Sequence, residues 1–427
     1  MSSACLTRVK ALRHAYRYAS AIGCAAPRAR VTSMSAPEGF DLAAIGLPPL
    51  IIRGRRLLPI VQGGMGVGVS AHRLAGSVAA LNAIGTIASV DLRRHHPDLL
   101  GATLHAGKAE VDAANLVALD REIVAARSIA GGRGMIAVNV MRAVSEYASY
   151  VRQACASGAD AIVVGAGLPL DLPDLAADYP DVALIPILSD ARGIALIVKK
   201  WARKGRRPDA IVIEHPRYAG GHLGAAKIED LADPRFDFER VLPEARAFFR
   251  AEGIVEGSIP LIPAGGINSS ERIRELLALG AGAVQIGTAF AVTAEGDADI
   301  AFKHLLADAK PSDIVEFMSV AGLPARAVRT PWLANYLKHL PKLIEAARRK
   351  PRCTLKFDCL LQCGLRDGNS KIGQFCIDQK LAEGLAGDTR KGLFFRGASA
   401  LPFGSEIRPV RELVEYLLTG VRPVPAG

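Results

Sequence analysis

Ile259-Pro-Leu-Ile-Pro-Ala-Gly-Gly-Ile267, then Ser269-Ser-Glu-Arg272, then Leu279-Gly280 and Gly282-Ala-Val-Gln-Ile-Gly-Thr288 decide the fold. An apolar run ends in a glycine turn, a helix opens on a serine, a glycine closes it, and a second apolar run ends in another glycine turn. Ser269-Ser270-Glu271-Arg272 is a helix-start signal, and Gly280 supplies the left-handed residue that ends the helix cheaply. Strands that are apolar nearly throughout, rather than alternating, are buried on both faces, as in a parallel sheet. Outward from this stretch the pattern recurs, with strand-like runs at 58–62, 85–90, 134–140, 159–165, 182–188, 209–214, 259–264 and 282–286. Helix-like stretches separate them at 71–82, 111–130, 145–156, 193–203, 236–251 and 270–279. The series predicts an α/β protein, a (β/α)8 barrel over 45–310. A doubly wound open sheet ranks second, because no dinucleotide fingerprint accompanies the units.

Composition excludes several function classes. The chain has 427 residues, half of them hydrophobic and 22% charged, enough for a large core. The runs 76–90 and 161–170 are too short or too interrupted to span a bilayer. The net charge of +11 is uneven: Arg8, Lys10, Arg13, Arg17, Arg28 and Arg30 put +6 into residues 1–37, which hold no acid. A second basic stretch runs from Lys338 to Lys356. Neither interleaves aromatics as a single-strand nucleic-acid groove does, so solvated faces are expected and no nucleic-acid partner. Residues 1–37 have the composition of a transit peptide, but Met34-Ser-Ala-Pro-Glu38 leads straight into the folded pattern. A disordered basic tail or an upstream start is the preferred reading, and a cytoplasmic location is expected.

A barrel places its chemistry just beyond the C-terminal ends of its strands. There the chain carries Gln62-Gly-Gly-Met-Gly66, Ser89-Val-Asp91, Asn139-Val-Met141, Gly165-Ala-Gly167, Ser189-Asp190, Glu214-His215, Gly265-Gly-Ile-Asn268 and Gly287-Thr288. Glycine turns after strands seven and eight are where barrels commonly bind phosphate, since backbone N–H groups there approach an anion unobstructed. Gly63-Gly-Met-Gly-Val-Gly68 lacks an acid at ribose distance and reads as backbone lying against a flat ring. Ala219-Gly-Gly-His-Leu-Gly224 offers His222, flanked by glycines and aimed at a cavity, as a general base. His95-His96 reads as surface and His215 as structural. No paired histidines or other metal-ligand set is found.

Residues 311–427 read as a C-terminal helical lid and cysteine-containing appendage. Four of the seven cysteines crowd into it as Cys353-x5-Cys359-x3-Cys363-x12-Cys376. Zinc or iron–sulfur ligation would explain that density, but no Cys-x2-Cys pair is present, and reduced, buried thiols are the preferred reading. Phe394-Phe395 and Phe375 are expected to pack the appendage onto the barrel mouth.

Pro59-Ile-Val-Gln-Gly-Gly-Met65, the Ala219–Gly224 box, Ile262-Pro-Ala-Gly-Gly-Ile267 and Val284-Gln-Ile-Gly-Thr-Ala-Phe290 together resemble the nitronate monooxygenase (2-nitropropane dioxygenase) family over roughly 48–330. Ser319–Val328 resembles the lid segment that follows the barrel there. The resemblance implies FMN as cofactor, with Gly64 and Met65 lining its ring, Asn139, Gly167 and Gly221 nearby, and Gly265, Gly266, Gly287 and Thr288 holding its phosphate. It implies His222 as the catalytic histidine, a nitronate or nitroalkane and O2 as substrates, and it leaves room for a homodimer. NAD(P)H-dependent enoyl-acyl-carrier-protein reductases and quinone reductases form a sister group, so a nicotinamide-dependent reductase is the alternative. Glu214-His-Pro-Arg-Tyr218 departs from the family's usual run before the box, and Arg217 is a candidate for an anionic substrate or a nicotinamide phosphate.

Overall fold

The computed structural model describes residues 40–349, 353 and 359–424. The basic segment 1–37 lies outside them, as does part of the second basic stretch. Two short strands come first, β1 (Leu50–Ile52) and β2 (Arg55–Leu57), paired antiparallel around a turn at Arg53-Gly54. The barrel begins with β3 (Ile60–Gln62), β4 (Ile84–Ala88), β5 (Met135–Met141), β6 (Ala161–Gly165), β7 (Ala183–Leu188) and β8 (Ile211–Glu214). After a detour through β9 (Gly221–His222), it is completed by β10 (Leu261–Ala264) and β11 (Val284–Ile286). The eight barrel strands close in chain order, β11 pairing parallel with β3 through Ile60↔Val284 to Gln62↔Ile286. This is the (β/α)8 barrel expected, with every predicted strand present.

Side-chain parity explains the layering. Val61, Ile84, Met135, Ala137, Val163, Ile185, Val212 and Ile262 fill the barrel interior. Their chain neighbours, such as Ile60, Ile136, Ile162, Leu184 and Ile211, face the helices outside. Leu50, Ile52 and Leu57 of the β1–β2 hairpin join the interior set and plug the end where the strands start. That hairpin was not expected, because its Arg53–Arg56 stretch reads as a polar turn rather than as strand.

The helices His72–Ala80, Lys108–Ala130, Tyr147–Ala156, Ala191–Ala202, Phe238–Ala251 and Ser270–Ala278 lie close to their predicted positions. Ser269 caps the last of these, its hydroxyl accepting from Arg272 N–H at 3.3 Å, and Gly280 follows at φ 99°. Beyond the barrel, β12 (Ile314–Met318) and β13 (Pro324–Val328) form an antiparallel sheet with β9. The chain's last helix, Val410–Thr419, then returns to the barrel and packs on both Ser270–Ala278 and His72–Ala80. It fills the shell position between the seventh and first strand–helix units. Its buried residues Val410, Leu413, Val414, Leu417 and Leu418 recur at helical spacing and supply that contact. The C-terminal segment thus belongs to the same unit as the barrel. No helix among the described residues is long and apolar enough to cross a membrane.

Candidate functional site

The strand ends surround a cavity of about 610 Å³ at the barrel mouth. Gly64, Met65, Asn139, Gly167, Gly221, His222, Gly265, Gly266, Gly287 and Thr288 all line it. Local geometry explains why glycine stands at several of these positions. A Cβ on Gly64 would lie 2.4 Å from Asn139 Cβ, so the first-strand loop rests directly against that asparagine. Gly265 and Gly266 have φ of 101° and 78°, a region that penalises any side chain. Just after the fourth barrel strand, β6, Ala166 also holds a left-handed φ of 55°, strain of the kind that gathers at functional sites.

Beyond strands seven and eight, the Gly266 and Gly287 N–H groups donate to no acceptor among the described residues. Thr288 Oγ1 beside them accepts from Gly397 N–H at 3.0 Å. Two free glycine amides and the Thr288 hydroxyl can hold an anion such as a phosphate.

His222 reaches the cavity from outside the barrel. In β9 it pairs with Ala325 of β13, and Leu223 N–H donates to Pro324 O at 2.8 Å. Arg326, buried on β13, locks this arrangement: its guanidinium donates to Pro216 O at 3.1 Å and to Ala219 O, and pairs with Glu316. His222 Nε2 is enclosed and has no hydrogen-bond partner among the described residues. Its ring centroid lies 5.6 Å from that of Phe395. Burial alone pushes its pKa down to about 4, so the imidazole is neutral at pH 7 and able to take a proton. An orphaned nitrogen facing a cavity can take its partner there, from a ligand or from water.

Other expectations need correction. Arg217 is exposed, lies over the Tyr218 ring at 5.7 Å and does not line the cavity, because the turn after His215 carries it outward. His95 and His96 are not free surface residues. His95 Nε2 contacts Gly68 O at 2.8 Å, and His96 Nε2 lies 2.9 Å from the buried Glu122 carboxylate. His215 is structural as expected: Nδ1 accepts from Arg217 N–H at 3.2 Å and Nε2 faces Asp237 at 3.2 Å. Phe394 packs on Phe302 and Phe395 lines the cavity, but Phe375 stays among Trp332, Tyr336 and Phe317.

Cys359 also lines the cavity, while Cys363 is buried behind it. Burial pushes the thiols of Cys359, Cys363 and Cys376 up from their ordinary value. Among the described residues no group of three or more His, Cys, Asp or Glu side chains is placed to hold a metal ion.

Sequence reasoning assigned no role to three contributors. Glu214 lines the cavity; its signal was an acid at the end of an otherwise apolar strand, in step with the inward-facing Val212. Arg326 and the 397–401 segment are remote in sequence from what they touch and carry no local signature.

The family model for nitronate monooxygenase matches residues 55–420. The nitronate monooxygenase of Pseudomonas aeruginosa is 33% identical over 122 residues, 28% of this chain and 31% of that protein. A probable nitronate monooxygenase of Staphylococcus saprophyticus is 29% identical over 124 residues, 29% of this chain and 33% of that protein. The matched stretch therefore spans about a third of these curated relatives. Among solved structures, a nitroalkane oxidase from Streptomyces ansochromogenes superposes with a TM-score of 0.59 at 20% identity, over 88% of this chain and 97% of that one. FabK from Thermotoga maritima gives 0.57 at 21% identity, over 84% and 91%. At these identities the superpositions speak for the shared barrel.

Proposed function

The chain belongs to the nitronate monooxygenase family, and from that membership we propose that it oxidises alkyl nitronates with FMN and O2. The observation that carries the reading is the enclosed, unpartnered His222 Nε2, which faces the same cavity as the free Gly266 and Gly287 amides. The residues present fit FMN. Gly265, Gly266, Gly287 and Thr288 would hold its phosphate, and Gly64, Met65, Asn139, Gly167 and Gly221 would lie along its ring. When bound, FMN would supply the redox chemistry, accepting an electron from the carbon acid and returning it to O2.

The protein's own part is proton transfer, orientation and exclusion of water. A neutral nitroalkane needs the proton on its α-carbon removed, and neutral His222 is the base in reach of the cavity. A nitronate has already lost that proton and needs only to be oriented. Phe395, set against the imidazole, and Leu393 close the site from the C-terminal side. Arg217, the side chain that pointed to an anionic substrate or a nicotinamide phosphate, is exposed and does not line the cavity.

Anaerobic mixing of the purified protein with propyl-2-nitronate, NADH or NADPH tests this. Visible flavin absorbance should bleach with the nitronate and stay unchanged with either nicotinamide. Rapid bleaching by NADH or NADPH, with no nitronate turnover in air, would replace the reading with a nicotinamide-dependent flavin reductase.

A further inference from the structure

Glu214 is the last residue of β8 and shares the parity of Val212, which fills the barrel interior, while Ile211 and Ile213 face outward. Its carboxyl therefore rises from the barrel floor into the cavity. Its register partner on β10 is Ala264, and on the β7 side the pairing Leu188↔Ile213 runs on to Ser189, which also lines the cavity. Ala264 has no side chain that can hydrogen-bond, and the Ser189 hydroxyl makes no bond to the carboxyl. The carboxyl has no hydrogen bond or ion pair with any described residue.

The other titratable groups around it are accounted for. Asp190, at the end of β7, accepts from Gly193 N–H at 2.7 Å. His215, next in the chain, lies on the opposite face against Asp237. Asp378, across the cavity, pairs with Arg94 at 2.8 Å. His222 is neutral, and Tyr218 and Cys359 complete the set. No cation answers Glu214: burial alone acts on it and pushes its pKa up to about 7. A half-buried, unpaired acid in a cleft, perturbed by desolvation, is a functional-site candidate.

We propose that the Glu214 carboxyl is the anion contact of this cavity, donating a hydrogen bond to one oxygen of the nitronate substrate, an inference that rests on the nitronate reading above. The donor is the neutral acid. Its ionisation would put a carboxylate and an anionic substrate into one low-dielectric space, and binding would fail. Anion affinity should therefore be high where the acid is protonated and fall as pH rises through its midpoint. At pH 8.5, 1.5 units above a pKa of about 7, only about 3% of the protein keeps the donor, so affinity should drop about thirtyfold from pH 6.

Propionate has the charge and shape of a nitronate, cannot be oxidised and stays ionised from pH 6 to 8.5. Its dissociation constant from the holoenzyme is measured by calorimetry at both pH values. Wild type should lose about thirtyfold. Glu214→Gln, which keeps an N–H donor and cannot ionise, should bind at both pH values about as tightly as wild type does at pH 6. Glu214→Ala should bind weakly at both. A pH-independent wild type would overturn the proposal, as would Glu214→Gln retaining the wild-type pH dependence. Fluorimetry of released FMN serves as a second readout. Variants that lose flavin but bind propionate normally would show that Glu214 contacts the cofactor instead, and would also overturn it. Nitronate turnover by wild type at pH 6 is read alongside. Its absence, together with the predicted propionate behaviour, would sink the nitronate reading and keep Glu214 as the anion contact.

Discussion

Replacing Arg326 with Met should weaken both the fold and the placement of His222, because one buried guanidinium holds three separate chain segments. Arg326 is 2% exposed. It donates to Pro216 O and Ala219 O in the loop before the histidine, and to Glu316 Oε1 on β12. Methionine fills much of the same volume, so little cavity term enters. The cost is the two carbonyls left buried without donors, about 1–3 kcal/mol each. Glu316, with 39% of its side chain exposed, can rehydrate, and its ion pair adds little. A loss of about 2–6 kcal/mol follows from the two carbonyls together. It should appear as a lower urea midpoint at unchanged m. The loop before the histidine would also be released from β13, and a displacement near 1 Å at the reacting group costs ~10²-fold in rate. Arg326→Lys, which reaches fewer of the acceptors, should fall between wild type and Met on both measures. Glu316→Gln should cost under about 1 kcal/mol. If Arg326→Met unfolds within about 1 kcal/mol of wild type and keeps full turnover, the clamp does not hold His222 in place.

His222→Asn should slow turnover of a neutral nitroalkane by ~10²–10⁴ and spare the pre-formed nitronate, since only the former needs a base; equal losses on both would make the histidine an orienting group alone. Gly266→Leu should yield protein with little bound flavin, judged from the visible to ultraviolet absorbance ratio, because a Cβ at φ 78° lies 3.0 Å from the Tyr218 ring; a yellow variant would refute the phosphate assignment. Ending the chain at residue 405 should give insoluble or unfolded protein. It removes five buried side chains worth about 1.5–3 kcal/mol each, an upper sum of roughly 8–15 kcal/mol against a typical total of 5–15. A soluble truncated barrel with cooperative melting would contradict this. The pKa of His222 falls on folding from 6.5 to about 4, so the unfolded chain binds the extra proton and stability declines as pH drops from 6.5 toward 4. His222→Gln should flatten that part of the stability profile relative to wild type, and unchanged slopes would show that the ring is solvated.

The barrel was legible in the sequence because its signals are local. Uninterrupted apolar runs mark strands covered on both faces. Ser269 and Gly280 mark where a helix starts and stops. The glycine turns after 264 and 286 mark backbone that must curl at the mouth. The same locality put His222 between glycines and so into the cavity. What the chain folds back to touch had no such signal. Arg326 meets Pro216 and Ala219 from 110 and 107 positions away, and Val410–Thr419 fills the shell beside Ser270–Ala278. His95 and His96 look like a polar surface pair in sequence and are drawn inward only by Gly68 and Glu122. Glu214 was visible as a letter, but its isolation was not. Residue spacing sets which face of a strand an acid occupies, whereas the loss of water and of every counter-charge around it is a property of the assembled walls. Sequence therefore determined the scaffold and the chemical types at its mouth, and only the tertiary structure decided which of those groups were left without partners.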